Sequence, residues 1–225
     1  MSERVVPTQG DIIKFGRLSW RVLKVEEGKV LLLSETVLER YKFHGKQQDI
    51  SWAQSDIRAY LNETLLSDCG VFSSEDRLRI ADTEVVTLKN PWFDTPGGDS
   101  TTDKVFLLSI EEVADCLGAD SEQLEVGNPS SAREFALRFD DDFDADQLLE
   151  DTGGRGLWIS DDYNKARTAY DAAGAAVHWW LRSPGIDPGD AASVNADGSL
   201  SLMGFSVSYD GDSCGGVRPA LWLKL

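Results

Sequence analysis

The stretch HWWLRSPG at residues 178–185 decides how the fold is interpreted, together with the closing stretch GVRPALWLKL at residues 216–225. Side chains alternate between the two faces of a strand. Trp180 and Arg182 therefore share one face of the first segment, and Arg218 lies opposite an apolar face in the second. A guanidinium group stacks on indole and also donates to loop carbonyls. We predict that both arginines fasten long loops to a sheet; an aromatic and cationic ligand platform is the alternative.

The chain is strongly acidic, with 39 Asp and Glu residues against 22 Lys and Arg residues and a formal net charge of −17. A field of that sign repels phosphate backbones and anionic lipids. We therefore expect neither nucleic acid nor a membrane as a partner. The 225 residues suit one large domain. We expect a single domain over 1–225, with a flexible tail over 1–10.

The compartment is inferred from what the sequence lacks. No segment approaches the ~18 consecutive apolar residues of a membrane span, and residues 1–11 lack the apolar stretch of a secretory signal. Cys69, Cys116 and Cys214 show no CxxC or metal-type spacing, which is typical of reduced thiols. We expect a soluble cytoplasmic protein, with an exported form that has lost its signal as the alternative.

Hydrophobic periodicity and capping residues place the elements. The pattern predicts strands over 11–15, 18–26, 30–34, 79–88 and 104–108. Capping residues predict helices that begin after Ser55, Ser73 or Ser74, Ser109 and Ser131, the third of which stops at Gly118. From residue 152 onward short apolar pieces alternate with Gly, Asp, Ser and Asn, and Asp197-Gly198 predicts a hairpin. Early helices and late short strands indicate an α+β domain.

An ordered set of motifs resembles an uncharacterised bacterial domain family. The motifs are Trp20-Arg21-Val22-Leu23, Leu31-Leu32-Leu33-Ser34-Glu35, Ser55-Asp56-Ile57-Arg58 after Trp52, Phe106-Leu107-Leu108-Ser109, Trp179-Trp180-Leu181-Arg182-Ser183-Pro184-Gly185 and Gly216-Val217-Arg218-Pro219-Ala220-Leu221. They run from about residue 11 to the end of the chain. The family has no assigned function, so this resemblance implies a fold more than an activity.

The closing half is similar, more distantly, to the C-type-lectin-like fold shared with formylglycine-generating enzymes and the variable receptor-binding proteins of diversity-generating retroelements. This resemblance implies a mixed sheet with the first and last strands side by side, short helices and long Gly/Asp/Ser-rich loops. Cys214 has no neighbouring cysteine, so the copper-dependent oxidase activity is not implied. The Glu-Pro-Asn and Trp-Asn-Asp motifs of true lectins are absent, so calcium-dependent sugar binding is not implied either.

The leading hypothesis is a non-catalytic binding domain with its contact surface in a loop-rich region over 184–215, because rigid sheets commonly present functional loops. The expected ligand is a protein or a carbohydrate. The predicted contact residues are Trp180, Arg182, Asp187, Asn195, Tyr209 and Asp210. Trp179 and Arg218 are predicted to be structural.

Two other classes of function stay open. One is an enzyme of unrecognised type that uses His178, Arg182 or Cys214, although the usual hydrolase, metalloprotease and nucleotide-binding motifs are absent. The other is a structural or assembly component, for which a large apolar interface would be diagnostic.

We expect no metal or cofactor, with calcium as the alternative. The run Asp140, Asp142 and Asp144 has EF-hand-like spacing, but Ala145 replaces the required glycine. The other candidate oxygen ligands lie in the late loops: Asp187, Asp190, Asn195, Asp197, Asp210 and Asp212.

Overall fold

The computed structural model describes residues 6–67, 69–138, 143–210 and 215–225. Within these ranges short helices and antiparallel sheets alternate, which confirms the α+β class. The strands are β1 Ile12–Phe15, β2 Leu18–Glu26, β3 Lys29–Ser34, β4 Thr83–Val85, β5 Thr101–Asp103, β6 Trp158–Ile159, β7 Ala169–Tyr170, β8 Ala176–Val177, β9 Trp179–Pro184, β10 Asp190–Val194, β11 Leu200–Ser206 and β12 Ala220–Lys224. The α-helices are α1 Asp56–Ala59, α2 Ser74–Arg79, α3 Ile110–Leu117, α4 Ser121–Val126, α5 Ser130–Arg138, α6 Ala145–Asp151 and α7 Asn164–Arg167.

The first sheet has the order β1-β2-β3-β12, so it joins the beginning of the described chain to its end. β3 is apolar and almost entirely buried, as expected for a strand covered on both faces. It pairs with β2 on one side and with β12 on the other, where Leu33 lies opposite Ala220 and Val30 opposite Leu223. The resemblance implied adjacent first and last strands; here the third strand, rather than the first, holds the last.

The second sheet has the order β6-β11-β10-β9. Its β10–β11 hairpin turns at Asp197-Gly198, as predicted, with Val194 opposite Leu200. Gly198 has a φ of +84°, and a Cβ on it would lie 1.9 Å from the carbonyl oxygen of Asn164. Only glycine satisfies both conditions.

The region over 184–215, which was predicted to be a loop-rich surface, also contains regular structure. β10 and β11 occupy it, and most of their side chains are buried. Alternating small and apolar residues explain the difference, because Ala191, Val194, Leu200 and Leu202 pack into the core with at most 1% of their surface exposed.

A short connecting segment, Gly215–Val217, joins the two sheets. On one side the Tyr41 N–H donates to the Gly215 carbonyl (3.0 Å), and the Val217 N–H donates to the carbonyl of Glu39. On the other side the Trp180 N–H donates to the Gly216 carbonyl (3.1 Å). Gly216 thus forms an antiparallel bridge with Arg40 and a parallel one with Trp179. Named strands pair only antiparallel within the described ranges, so parallel character is confined to such bridges.

The glycines of the connecting segment permit this close approach. A Cβ on Gly215 would lie 2.3 Å from the Trp180 ring, and one on Gly216 would lie 2.5 Å from a methyl group of Val37. Both distances are well below van der Waals contact, so any side chain here would push the sheets apart.

Arg182 and Arg218 are buried and bind backbone carbonyls, but those carbonyls lie outside 184–215. Arg182 donates to Leu107 (2.7 Å) and to Val86 (3.0 Å), and it forms an ion pair with Glu112. Its carbonyl partners precede α3, in backbone that is mostly irregular. Arg218 donates to the carbonyl of Ser34 at the end of β3 (3.1 Å). Its guanidinium lies 4.9 Å from the ring centroid of Trp179, which is itself fully buried, as a structural role requires.

A third arginine, Arg167, holds the β10–β11 turn. Its Nε donates to the carbonyl of Gly198 (2.8 Å) and its Nη1 to that of Gly118 at the end of α3 (3.0 Å). Its Nη2 also pairs with Asp161 at 2.6 Å, and the side chains of this pair are 0% and 5% exposed. The role predicted for Arg182 and Arg218, fastening a late loop to the rest of the fold, belongs to Arg167 at the β10–β11 turn.

Capping residues in the sequence predicted the first residues of several helices correctly. Ser55, Ser73 and Ser109 each accept the predicted capping hydrogen bond, and α3 ends before Gly118. Ser131 does not cap a helix: it lies inside α5, where its Oγ donates to Asn128 and accepts from the N–H of Leu157. No helix in the described ranges is long and apolar enough to cross a membrane.

Two predicted strands are replaced by other structure. The prediction over 79–88 is wrong at its start, because the capping box of Ser73 and Asp76 extends α2 through Arg79 and leaves only β4. Over 104–108 the chain forms an isolated bridge between Phe106 and Ala220 instead of a named strand.

We expect Arg167→Met to lower the free energy of unfolding by about 3–5 kcal/mol, because it leaves the buried carboxylate of Asp161 without its partner. Urea denaturation measures the change. Arg138→Met is the matched control: Arg138 faces Asp197 at 3.6 Å with both side chains about half exposed, so its loss should cost less than about 1 kcal/mol. Equal effects of the two substitutions would contradict the assigned role.

Candidate binding groove

One cavity of the structure is an open groove of about 640 Å³. It lies between the segment 40–45 that follows β3, the helical stretch 56–64, and Asp210. Two tyrosines, Tyr41 and Tyr60, form its aromatic wall, and we call it the tyrosine groove.

Backbone contacts fix the position of Tyr41. Its N–H is bound by the connecting segment, and its carbonyl accepts from the indole N–H of Trp180 at 2.8 Å. Trp180 is fully buried, so Tyr41 is bound to a residue of the hydrophobic core. The backbone of Tyr41 is therefore held between the connecting segment and Trp180 of β9.

Tyr60 begins a π-helical stretch, Tyr60–Leu65, that continues α1. Its ring stacks on that of Tyr41 with the centroids 4.6 Å apart and the planes at 21°. Offset aromatic pairs at this distance are favourable, and π-helical turns occur frequently at functional sites. The pair forms one continuous aromatic surface.

Both phenols are held in their neutral form. Burial raises the pKa of Tyr60, and the hydrogen bond that its hydroxyl donates to Glu39 raises it further. Burial and the charges of Asp56 and Glu39 raise the pKa of Tyr41. Neither phenol is poised to act as a base near neutral pH.

Charges of both signs rim the groove. The ammonium of Lys42 lies 2.9 Å from the carboxylate of Asp210. Asp56 accepts from the Gly45 N–H (2.8 Å) and lies 3.1 Å from Nδ1 of His44. A rim with both charge signs and an aromatic wall favours a polar ligand without a large net charge.

Of the predicted contact residues, Asp210 lines the groove, and Tyr209 precedes it in sequence without lining the groove. The Tyr209 side chain is 44% exposed, and its ring lies 6.0 Å from that of Phe205. Trp180 and Arg182 are 0% and 4% exposed, so little of either side chain is accessible to a ligand.

Asp187 and Asn195 are not brought together. Asp187 precedes β10, at the end where Asp190 pairs with Ser206, whereas Asn195 follows β10 in the hairpin turn. A five-residue strand separates them, which corresponds to about 17 Å. Asn195 donates to Oγ of Ser199 at 2.9 Å and so stabilises its own turn.

The three residues proposed for an enzyme are not seen together in one site among the described residues. His178 is half-buried, with its ring centroid 6.0 Å from Trp180 and 5.6 Å from Phe205. Arg182 is committed to Glu112, and Cys214 lies outside the described residues.

The acidic residues considered for calcium do not gather in the part of the chain that the structure describes. There, no three His, Cys, Asp or Glu side chains are grouped so as to hold a metal ion. Asp140, Asp142 and Asp212 lie outside the described ranges.

The sequence analysis missed Tyr41, Lys42 and Tyr60. One signal was available: the stretch ERYKFHG at 39–45 follows the buried β3 directly and mixes charged with aromatic residues. Its partners at 56–64 and 210 are distant in sequence, so no local pattern predicts the groove.

Two antiparallel sheets joined by short helices and a connecting segment define an α+β domain. Residues 27–225 match the family described as "Domain of unknown function (DUF6273)", and the chain therefore belongs to that family. Membership confirms the resemblance to an uncharacterised family over nearly the whole chain. No curated protein and no solved structure matches it.

The carboxyl of Asp190 predicts a pH dependence of stability. Burial, and to a lesser degree the charge of Asp187, raises its pKa from 3.8 to about 6. The unfolded chain therefore loses this proton first, and stability falls as the pH rises from about 4 through about 6. Because the side chain is half-buried, we expect Asp190→Asn to gain only about 1 kcal/mol at pH 7 and almost nothing at about pH 3.5.

Urea unfolding at both pH values measures this effect. Asp187→Asn should give a smaller gain of the same sign, and the exposed Asp99→Asn serves as the control. A gain for Asp190→Asn that is independent of pH would show that its titration is not the cause.

Proposed function

We propose that this chain is a non-catalytic binding domain that takes a carbohydrate in the tyrosine groove. The stacked pair of Tyr41 and Tyr60, fixed in a rim of mixed charge, is the observation that carries the proposal. A sugar presents an apolar C–H face for aromatic rings and hydroxyl groups for charged side chains. Tyrosine, which is apolar on its face and polar at its tip, suits that combination.

The size of the groove supports a small ligand. Its volume of about 640 Å³ lies within the range of about 300–1,000 Å³ that is typical of small-molecule sites. The neutral phenols of Tyr41 and Tyr60 can donate hydrogen bonds to sugar oxygens, and the carboxylates of Asp56 and Asp210 can accept them from sugar hydroxyls.

We also propose a fold relation and a cellular compartment for this chain. The pairing of the last strand with β3, a strand from the beginning of the chain, supports a relation to the C-type-lectin-like fold, although the first strand itself does not pair with the last. The free thiols of Cys69 and Cys116 support a reducing compartment, consistent with a soluble protein of the bacterial cytoplasm.

A protein ligand is the second candidate, and the exposed ring of Tyr209, the residue before the groove residue Asp210, favours it. Tyrosine is enriched at protein interfaces. A protein partner would cover Tyr209 and the groove together, whereas a sugar of groove size would require only the groove.

Binding to an oligosaccharide array, followed by calorimetry with the best ligand, tests the proposed function. Tyr41→Ala should weaken binding at least about tenfold, because it removes half of the aromatic wall. Asp210→Ala should also weaken binding, and it should leave the fold intact because the Asp210 side chain is exposed. Tyr163→Ala, at an exposed tyrosine that lines neither this groove nor another described cavity, should leave affinity unchanged.

The same variants separate the alternatives. Loss of affinity in Tyr209→Ala, but not in Tyr41→Ala, would support a protein surface outside the groove. Chemical conversion of the bound ligand by the wild-type chain would show an enzyme. An array without any bound sugar would overturn the carbohydrate proposal.

A further inference from the structure

A second cavity, of about 370 Å³, lies between the first sheet, the end of α3 and helix α7. Three of its lining residues are cations: Arg21 on β2, Lys165 on α7, and Arg218 after the connecting segment. Glu35 is the one lining carboxylate among the described residues. We call it the Arg218 cavity, and it shares no lining residue with the tyrosine groove.

The guanidinium of Arg218 is buried without full pairing. The residue is 3% exposed, its Nε donates to the Ser34 carbonyl, and its Nη1 makes only a long contact of 3.5 Å with the carbonyl of Arg167. Its Nη2 has no hydrogen-bond partner among the described residues. A buried charge normally requires such partners, so the arginine retains donor capacity toward the cavity that it lines.

The nearby carboxylate of Glu35 attracts the charge of Arg218 but accepts no hydrogen bond from it. Glu35 is held by Arg21 through two hydrogen bonds, of which the one from Nε is 3.0 Å long. On neighbouring elements, Glu112 is paired with Arg182 and Asp161 with Arg167.

Neither Asp115 nor Cys116 adds a negative charge to this cavity. Asp115 lines the adjoining cavity rather than this one. Burial raises the pKa of the lining Cys116 to about 11, so this thiol adds no negative charge at neutral pH. Three positive charges therefore face one negative charge, a local excess of two in a chain whose net charge is −17.

We propose that the Arg218 cavity binds the phosphate group of a small phosphomonoester. A phosphate monoester is close to a dianion at neutral pH and matches the local excess of charge. Arginine forks recognise phosphate oxygens through paired hydrogen bonds, and a lysine adds a point charge. A long polyanion such as nucleic acid is disfavoured by the overall charge of the chain.

The remaining walls fit the organic part of such a molecule. Val22, Leu23 and Leu117 provide an apolar side, and Tyr170, 51% exposed, lies at the cavity. Burial lowers the pKa of Arg218 to about 10, so the group stays cationic at neutral pH. An anion at this position would offset the cost of burying that charge.

Calorimetric titration with inorganic phosphate and with phenyl phosphate, at low and constant ionic strength, tests the proposal. We expect saturable binding of both, with phenyl phosphate bound more tightly because its ring contacts the apolar side. Lys165→Gln should weaken binding at least about fivefold, since it removes one charged donor. Lys14→Gln, an exposed lysine on β1 outside the cavity, should leave affinity unchanged.

Arg218→Lys tests the central residue but could disturb the core. Its circular dichroism spectrum is therefore compared with wild type, and Arg21→Gln provides a second variant at the cavity. Absence of saturable binding, equal weakening by Lys14→Gln and Lys165→Gln, or tighter binding of benzoate than of phenyl phosphate would overturn the proposal. Because the two cavities share no lining residue, these outcomes leave the tyrosine groove untouched.

Discussion

The close backbone approach at Gly215–Val217 is the constraint on which the rest of the structure depends. This segment donates and accepts hydrogen bonds on two sides, toward residues 39–41 and toward residues 178–180. The bonds form only because Gly215 and Gly216 leave room for the ring of Trp180 and the side chain of Val37. Two separate antiparallel sheets thereby become one core.

Both candidate sites border this junction. Tyr41 forms the aromatic wall of the groove together with Tyr60. Its backbone is hydrogen-bonded to the carbonyl of Gly215 and to the indole of Trp180. Arg218 immediately follows the junction and lines the second cavity. Its guanidinium stacks on the ring of Trp179. One neutral aromatic site and one cationic site thus share a rigid support, which is the usual way in which a scaffold keeps binding groups in fixed positions.

Local chemistry predicted local structure well, and long-range contacts account for the errors. Capping by Ser109 and the turn at Asp197-Gly198 depend on neighbours within a few residues, so the sequence was sufficient for them. The burial of Trp180 and the role of Arg167 depend on residues more than 30 positions away, such as Tyr41 and Gly198. The tyrosine groove was missed for the same reason, since it combines three distant segments.

The pairing of β3 with β12 also has a consequence for the order of events during biosynthesis. Leu33 emerges from the ribosome early, yet its partner Ala220 is made 187 residues later. Until then β3 lacks one neighbour, and its apolar face has no cover from the end of the chain. Contacts of such high sequence separation slow folding, and exposed strand edges attract other chains. The first sheet therefore cannot be completed until the end of the chain has been synthesised.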